Sequence, residues 1–210
     1  MAASGLVFIG FVLLHMYGNL KAFAGEDAFN EYAEHLRTIG EPMLPESGLL
    51  WVIRLVLIAS LVVHVSSAVV LARRAAAARP VKYEARKYRH SSFSSRTMRW
   101  GGLTILIFLV WHLLNFTIGK VNPSGGETDN PYRLMVDTFD LWWMTLIYLD
   151  AMAALALHLH HGTFRAMQTL GYTGTAAARQ RARTAGWVLA VVIAGGFSLI
   201  PIFTLLGVID

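Results

Sequence analysis

The chain contains no cysteine, and that absence closes several chemistries at once. Disulfides, thiolate zinc sites and iron–sulfur clusters held by this polypeptide are excluded, so any metal must be bound through histidine or carboxylate. Charge is scarce as well. Only 15% of the residues are charged against 55% hydrophobic, and the mean hydropathy is positive, which is too apolar for a soluble domain of 210 residues. The stretch MAASGLVFIGFVLLHMYGNLK lacks the basic segment and small-residue cleavage site of a secretory signal, so it is expected to be a retained span. Despite a net charge of +5, no basic surface interleaved with aromatics marks a nucleic-acid module. The cations lie between hydrophobic runs, as in the cytoplasmic loops of membrane proteins.

What is present in quantity is apolar length. Five stretches, roughly 5–23, 49–72, 100–120, 141–163 and 185–208, are each long enough to cross a bilayer as a helix of about 20 residues. The expected class is an all-α integral membrane protein forming one domain over 1–210. Its first four spans form an up-and-down bundle and its fifth is peripheral. The connection after the second span carries Arg73, Arg74, Arg79, Lys82, Arg86, Lys87, Arg89, Arg96 and Arg99 against the single acid Glu84. The connection after the fourth carries Arg165, Arg179, Arg181 and Arg183 and no acid. Both are assigned to the cytoplasm, which puts the N-terminus inside and the C-terminus outside. In the first outer loop Phe29, Tyr32, Leu36 and Ile39 fall at helical intervals, predicting a short amphipathic helix on the membrane surface, broken by Pro42 and Pro45. The third loop, NPSGGETDNPYR, reads as irregular and outward-facing.

Ionisable residues inside spans are costly and therefore functional candidates. Each of the first four spans has such a histidine, His15, His64, His112 and His158, and the fifth has none. His15 lies six residues before Lys21 and His112 eight before Lys120, which puts both on the order of 10 Å from the outer boundary. His64 lies nine residues before Arg73 and His158 seven before Arg165, so both belong to the inner half. In an up-and-down bundle the first and third helices are diagonal, as are the second and fourth. A haem between diagonal helices would receive one imidazole on each face, filling both axial positions and favouring electron transfer over oxygen chemistry. The competing readings are polar packing between helices and a zinc site, which would need three or four ligands at one depth. Within LHLHHG, His160 points away from His158, whereas His161 can share its face and stays a competitor on spacing alone. His35 and His90 fall in loops and read as solvated.

These residues resemble the single-chain di-haem cytochrome b anchor subunits of bacterial succinate dehydrogenases and fumarate reductases. The resemblance is carried by the four evenly spaced histidines, HMYGNLKAFAG ending the first span, SSRTMRWGG opening the third, WHLLNF within it and HLHHGTFRAMQTLG closing the fourth. It covers essentially the whole chain. It implies that the last ligand stands four residues before a glycine, selecting His158 before Gly162 over His161. It also implies pairing of His64 with His158 for an inner haem and His15 with His112 for an outer one. Further implications are docking of an iron–sulfur subunit, and through it a succinate-oxidising flavoprotein, on the cytoplasmic face, with electrons delivered to a membrane quinone, expected to be menaquinone. The expected location is the bacterial cytoplasmic membrane.

Other candidates follow from position. Arg73, Arg96 and Arg99 stand near the inner boundary, either to pair with haem propionates or simply as part of the positive charge of a cytoplasmic loop. Some family members carry an intramembrane glutamate two residues before the last ligand; here that position is Ala156, so that proton relay is missing. Asp150, about nine residues into the fourth span, either accepts a proton near a quinone or bonds a neighbouring helix, with Arg54 as a partner or an interfacial anchor. Quinone candidates are Tyr17, Glu41 and Glu46 on the outer side and Ser92, Ser95 and Trp100 on the inner side. The alternatives are a di-haem quinol-oxidising subunit of another respiratory complex and a haem-free membrane scaffold or transporter.

Overall fold

The computed structural model describes residues 1–78, 93–118, 121–124 and 128–210, with the side chains of 93–96 left aside. Among these the chain is helical, without strands, and five helices are long and apolar enough to cross a membrane. It is an all-α, multi-pass integral membrane protein. The first span is α1 (Ala2–Leu20), tightened at its end by a 3₁₀ turn, Lys21–Ala24; a surface helix α2 (Glu26–Thr38) follows. The second span is α3 (Gly48–Ala77), and the third is α4 (Phe93–His112) continued by a π-helical turn, Leu113–Thr117. A short helix α5 (Pro131–Phe139) precedes the fourth span, α6 (Trp142–Thr169), and the fifth, α7 (Ala176–Leu205).

Several helices outrun the apolar windows that reveal them. α3 continues to Ala77 through ARRAAA, α6 to Thr169, and α7 begins at Ala176. Hydropathy stops at the first charges, but alanine and arginine are strong helix formers and carry the helix on into water. The loop read as irregular contains a helix, a correction with a visible cause. Asn130 caps α5 by accepting from the Arg133 amide, Pro131 occupies the first turn, and Tyr132, Met135, Val136 and Phe139 are buried on one face. α2 meets α5 through side-chain amides: Asn30 donates to Asn130 at 3.0 Å, and Asn130 donates to Glu26 at 2.7 Å. Glu26 also pairs with Arg133 at 2.8 Å. The buried Tyr132 hydroxyl reaches the Asp210 carbonyl at 3.2 Å, so α2, α5 and the C-terminus share one end of the molecule. Burial, reinforced by the Asp210 carboxylate, pushes the Tyr132 phenol above its usual range, so it keeps the proton it donates.

The first four spans stand at the corners of a square with one open edge. α1 touches α3 and α6, and α6 touches α4, while α3 and α4 have at most marginal contact among the described residues. The diagonals therefore join α1 with α4 and α3 with α6. Nothing on α3 is buried. The fifth span brings no histidine, and "peripheral" describes its place outside the square rather than a loose attachment. It lies along α6 and also meets α1, through a buried stripe of small residues, Ala182, Gly186, Ala190 and Ala194. A β-carbon added at Gly186 would stand 2.6 Å from the His160 carbonyl oxygen, so the two backbones touch there.

Candidate functional site: two facing histidine pairs

On the α3–α6 diagonal, the rings of His64 and His158 face each other with centroids 6.2 Å apart and planes at 48°. α1 supplies the wall: Phe8 meets the His64 ring edge-on at 5.8 Å, and Gly5 leaves the space beside it open. Ser4 Oγ donates to the Met1 carbonyl at 3.0 Å and lies 3.2 Å from His64 Nδ1. The Ser4 hydroxyl is thus the polar side chain that α1 places at hydrogen-bond distance from the His64 ring. α4 approaches His158 at Gly102, whose missing side chain leaves ordinary contact distance to the ring. His158 Nδ1 is buried with no hydrogen-bond partner among the described residues.

On the α1–α4 diagonal, His15 and His112 stand with ring centroids 5.8 Å apart and planes at 84°. Their surroundings are aromatic. Phe11 stacks on His15 at 5.3 Å, Phe197 of α7 lies at 5.7 Å, and Phe108 lies 5.8 Å from His112. One polar group reaches this pair from α6: the Tyr148 hydroxyl, 3.4 Å from His112 Nδ1.

The spacing tests what could lie between the rings. Two imidazoles on opposite sides of one iron, each bonded through nitrogen at about 2 Å, have centroids about 6 Å apart, with the planes free to rotate about the axis. Both pairs meet this condition, and the residues present fit two bis-histidine haems. Among the described residues, no three histidine or carboxylate groups gather where they could hold a metal ion, so the arrangement is two and two rather than the cluster a zinc site requires. The two pairs are also separated in depth. Three helices each contribute to both levels at an offset of ten residues: Gly5 and His15 on α1, Gly102 and His112 on α4, Tyr148 and His158 on α6. At about 1.5 Å per residue the levels lie about 15 Å apart.

Of the three histidines in LHLHHG, only the ring of His158 meets His64. The ring of His160 stacks on Trp187 at 4.2 Å, and His161 accepts from Arg165 Nε at 3.3 Å on the exposed side of the helix. The remaining candidates do not converge on either pair. Arg73 and Arg99 are exposed at the helix ends, and Trp100 is 74% exposed. Tyr17 is exposed near the end of α1, with Lys21 over its ring at 5.3 Å and Tyr32 beside it at 6.1 Å. Glu41, Glu46 and His35 are exposed. Asp150 is on an exposed face of α6, without a hydrogen bond or ion pair among the described residues. Arg54 lies over Trp51 at 4.9 Å rather than beside Asp150. Ser92 and His90, with the side chains of Ser95 and Arg96, lie outside the described residues. Reading the sequence did not find Ser4, Gly102, Asn115 or Tyr148. Ser4 and Gly102 carry no signal of their own. Tyr148 and Asn115 were findable as polar side chains inside spans.

Comparison with known proteins returns no matching family model, no matching curated protein and no matching solved structure.

Proposed function

We propose that the chain is the two-haem membrane anchor and electron-transfer subunit of a succinate:quinone oxidoreductase, joining an iron–sulfur partner on the cytoplasmic face to a membrane quinone, expected to be menaquinone. The observation that carries the haem assignment is the pair of facing imidazoles on each diagonal, at 6.2 Å and 5.8 Å. His64 and His158 hold the inner haem, His15 and His112 the outer one. Held by these histidines, each haem would supply a one-electron iron couple. The protein's own part is to keep four neutral imidazoles oriented and dry. Phe8, Phe11, Phe108 and Phe197 line the sites, while Ser4 and Tyr148 meet the Nδ1 edge of one ring in each pair.

Succinate as the electron source is supported by the resemblance of HMYGNLKAFAG, SSRTMRWGG, WHLLNF and HLHHGTFRAMQTLG to the di-haem anchor family. The arginines at the inner ends of α3, α6 and α7 support the orientation and a basic docking face toward the cytoplasm of a bacterium. Full-length protein produced with ample haem is expected to show a reduced b-type spectrum with two haems per chain. His64→Ala and His158→Ala should remove the same haem, and His15→Ala and His112→Ala the other. A haem-free product, or a pattern pairing His15 with His64, overturns the assignment. Succinate added to the native complex should reduce the haems; reduction by quinol alone would identify the quinol-oxidising subunit of another respiratory complex instead.

A further inference from the structure

The most completely specified polar group in the spans is the hydroxyl of Tyr148. Its ring is clamped by Phe108 at 4.8 Å, Phe139 at 4.9 Å and Phe116 at 6.0 Å, each edge to face. Its oxygen stands 3.4 Å from His112 Nδ1 and 3.4 Å from Asn115 Oδ1. Asn115 is wholly buried in the π-helical turn that follows His112, and its Nδ2 donates to the Val121 carbonyl at 2.9 Å.

The proton positions follow from the end of this chain. A backbone carbonyl only accepts, so the amide nitrogen of Asn115 faces Val121 and the amide oxygen faces Tyr148. That oxygen only accepts, so the tyrosine donates its one proton to it. The tyrosine oxygen then offers a lone pair to His112, whose Nδ1 must carry hydrogen, leaving Nε2 unprotonated. Among the described residues no other arrangement satisfies all four groups.

We propose that Tyr148, fixed by Asn115, is the positioning residue that holds His112 in its Nδ1–H tautomer and sets how strongly the outer haem retains an electron. This rests on the reading of His112 as an axial ligand. A hydrogen bond donated from Nδ1 raises the basicity of the ligating nitrogen and favours the ferric state. Among the described residues the ring of His15 meets Phe11, Phe197 and His112 and has no comparable acceptor. The device therefore acts on one ligand of the outer pair.

The test is a redox titration of the haem-loaded full chain carrying Tyr148→Phe, which keeps the ring in its aromatic clamp. One haem is expected to become easier to reduce, with a ferrous-to-ferric ratio roughly three- to tenfold higher at fixed poise, up to about 59 mV for one electron. The other haem should keep its potential. Two haems with unchanged potentials overturn the proposal and leave the haem reading standing. A His112→Ala protein that retains both haems overturns that reading itself. Should Tyr148→Phe fail to hold the outer haem, Asn115→Leu carries the test with the tyrosine in place. It must shift the same haem in the same direction, and no shift overturns the proposal.

Discussion

His158, His160 and His161 sit within one turn of α6 and meet three different fates. His158 faces a second imidazole, His160 stacks on an indole, and His161 binds the arginine one turn on. Spacing on a helical wheel separates His160 from the others but cannot separate His158 from His161, because the face that matters is defined by α3, which is distant in sequence. His161→Ala is expected to retain both haems with unchanged spectra, since it removes only a contact to Arg165; loss of either haem would transfer the ligand role to His161. The four histidines were legible because ionisable groups in apolar runs are conspicuous. Tyr148 and Asn115 were visible as residues but not as partners, since they lie 33 positions apart on different helices.

Elements were legible as far as their chemistry is local. Apolar length located every span, and helical spacing located α2. The ends and α5 were missed where local chemistry other than hydropathy decides: alanine-rich propensity beyond the arginines, and the Asn130–Pro131 start of α5. Packing between α6 and α7 was not legible, because a small-residue stripe is informative only once its partner is known. That stripe makes a sharp prediction. Gly186→Leu forces a side chain into the His160 carbonyl and should destabilise the protein by about 1–3 kcal/mol or separate α7 from α6. Thermal unfolding in detergent, followed by intrinsic fluorescence, would measure the loss. Leucine at the exposed Val191 should leave the transition within experimental scatter.

At the scale of the whole molecule, the square of spans is closed on three edges and open between α3 and α4. Loss of ligand is expected to be felt most at that edge, since α3 buries nothing of its own and holds to the bundle chiefly through α1 and α2. Haem-free protein should therefore show faster proteolysis or hydrogen exchange in α3 than in α6 or α7. Equal protection of all spans would contradict this. The diagonal pairing was within reach of sequence through depth alone. The open edge was not, because apolar length and charge say nothing about which neighbours touch.

The ten-residue offset repeated in α1, α4 and α6 has an electrical meaning. Two levels about 15 Å apart in a hydrocarbon core of about 30 Å divide the membrane voltage roughly in half. An electron exchanged between haems at these levels would feel about 1.2 kcal/mol per 100 mV, enough to change their relative occupancy roughly sevenfold. Imposing a potassium diffusion potential on vesicles containing the haem-loaded protein should shift the balance of the two haem signals in proportion to voltage and reverse with its sign. With haems at both levels, the spacing of side chains along three helices would make the molecule a voltage divider, with its ratio fixed by the rise of the α-helix.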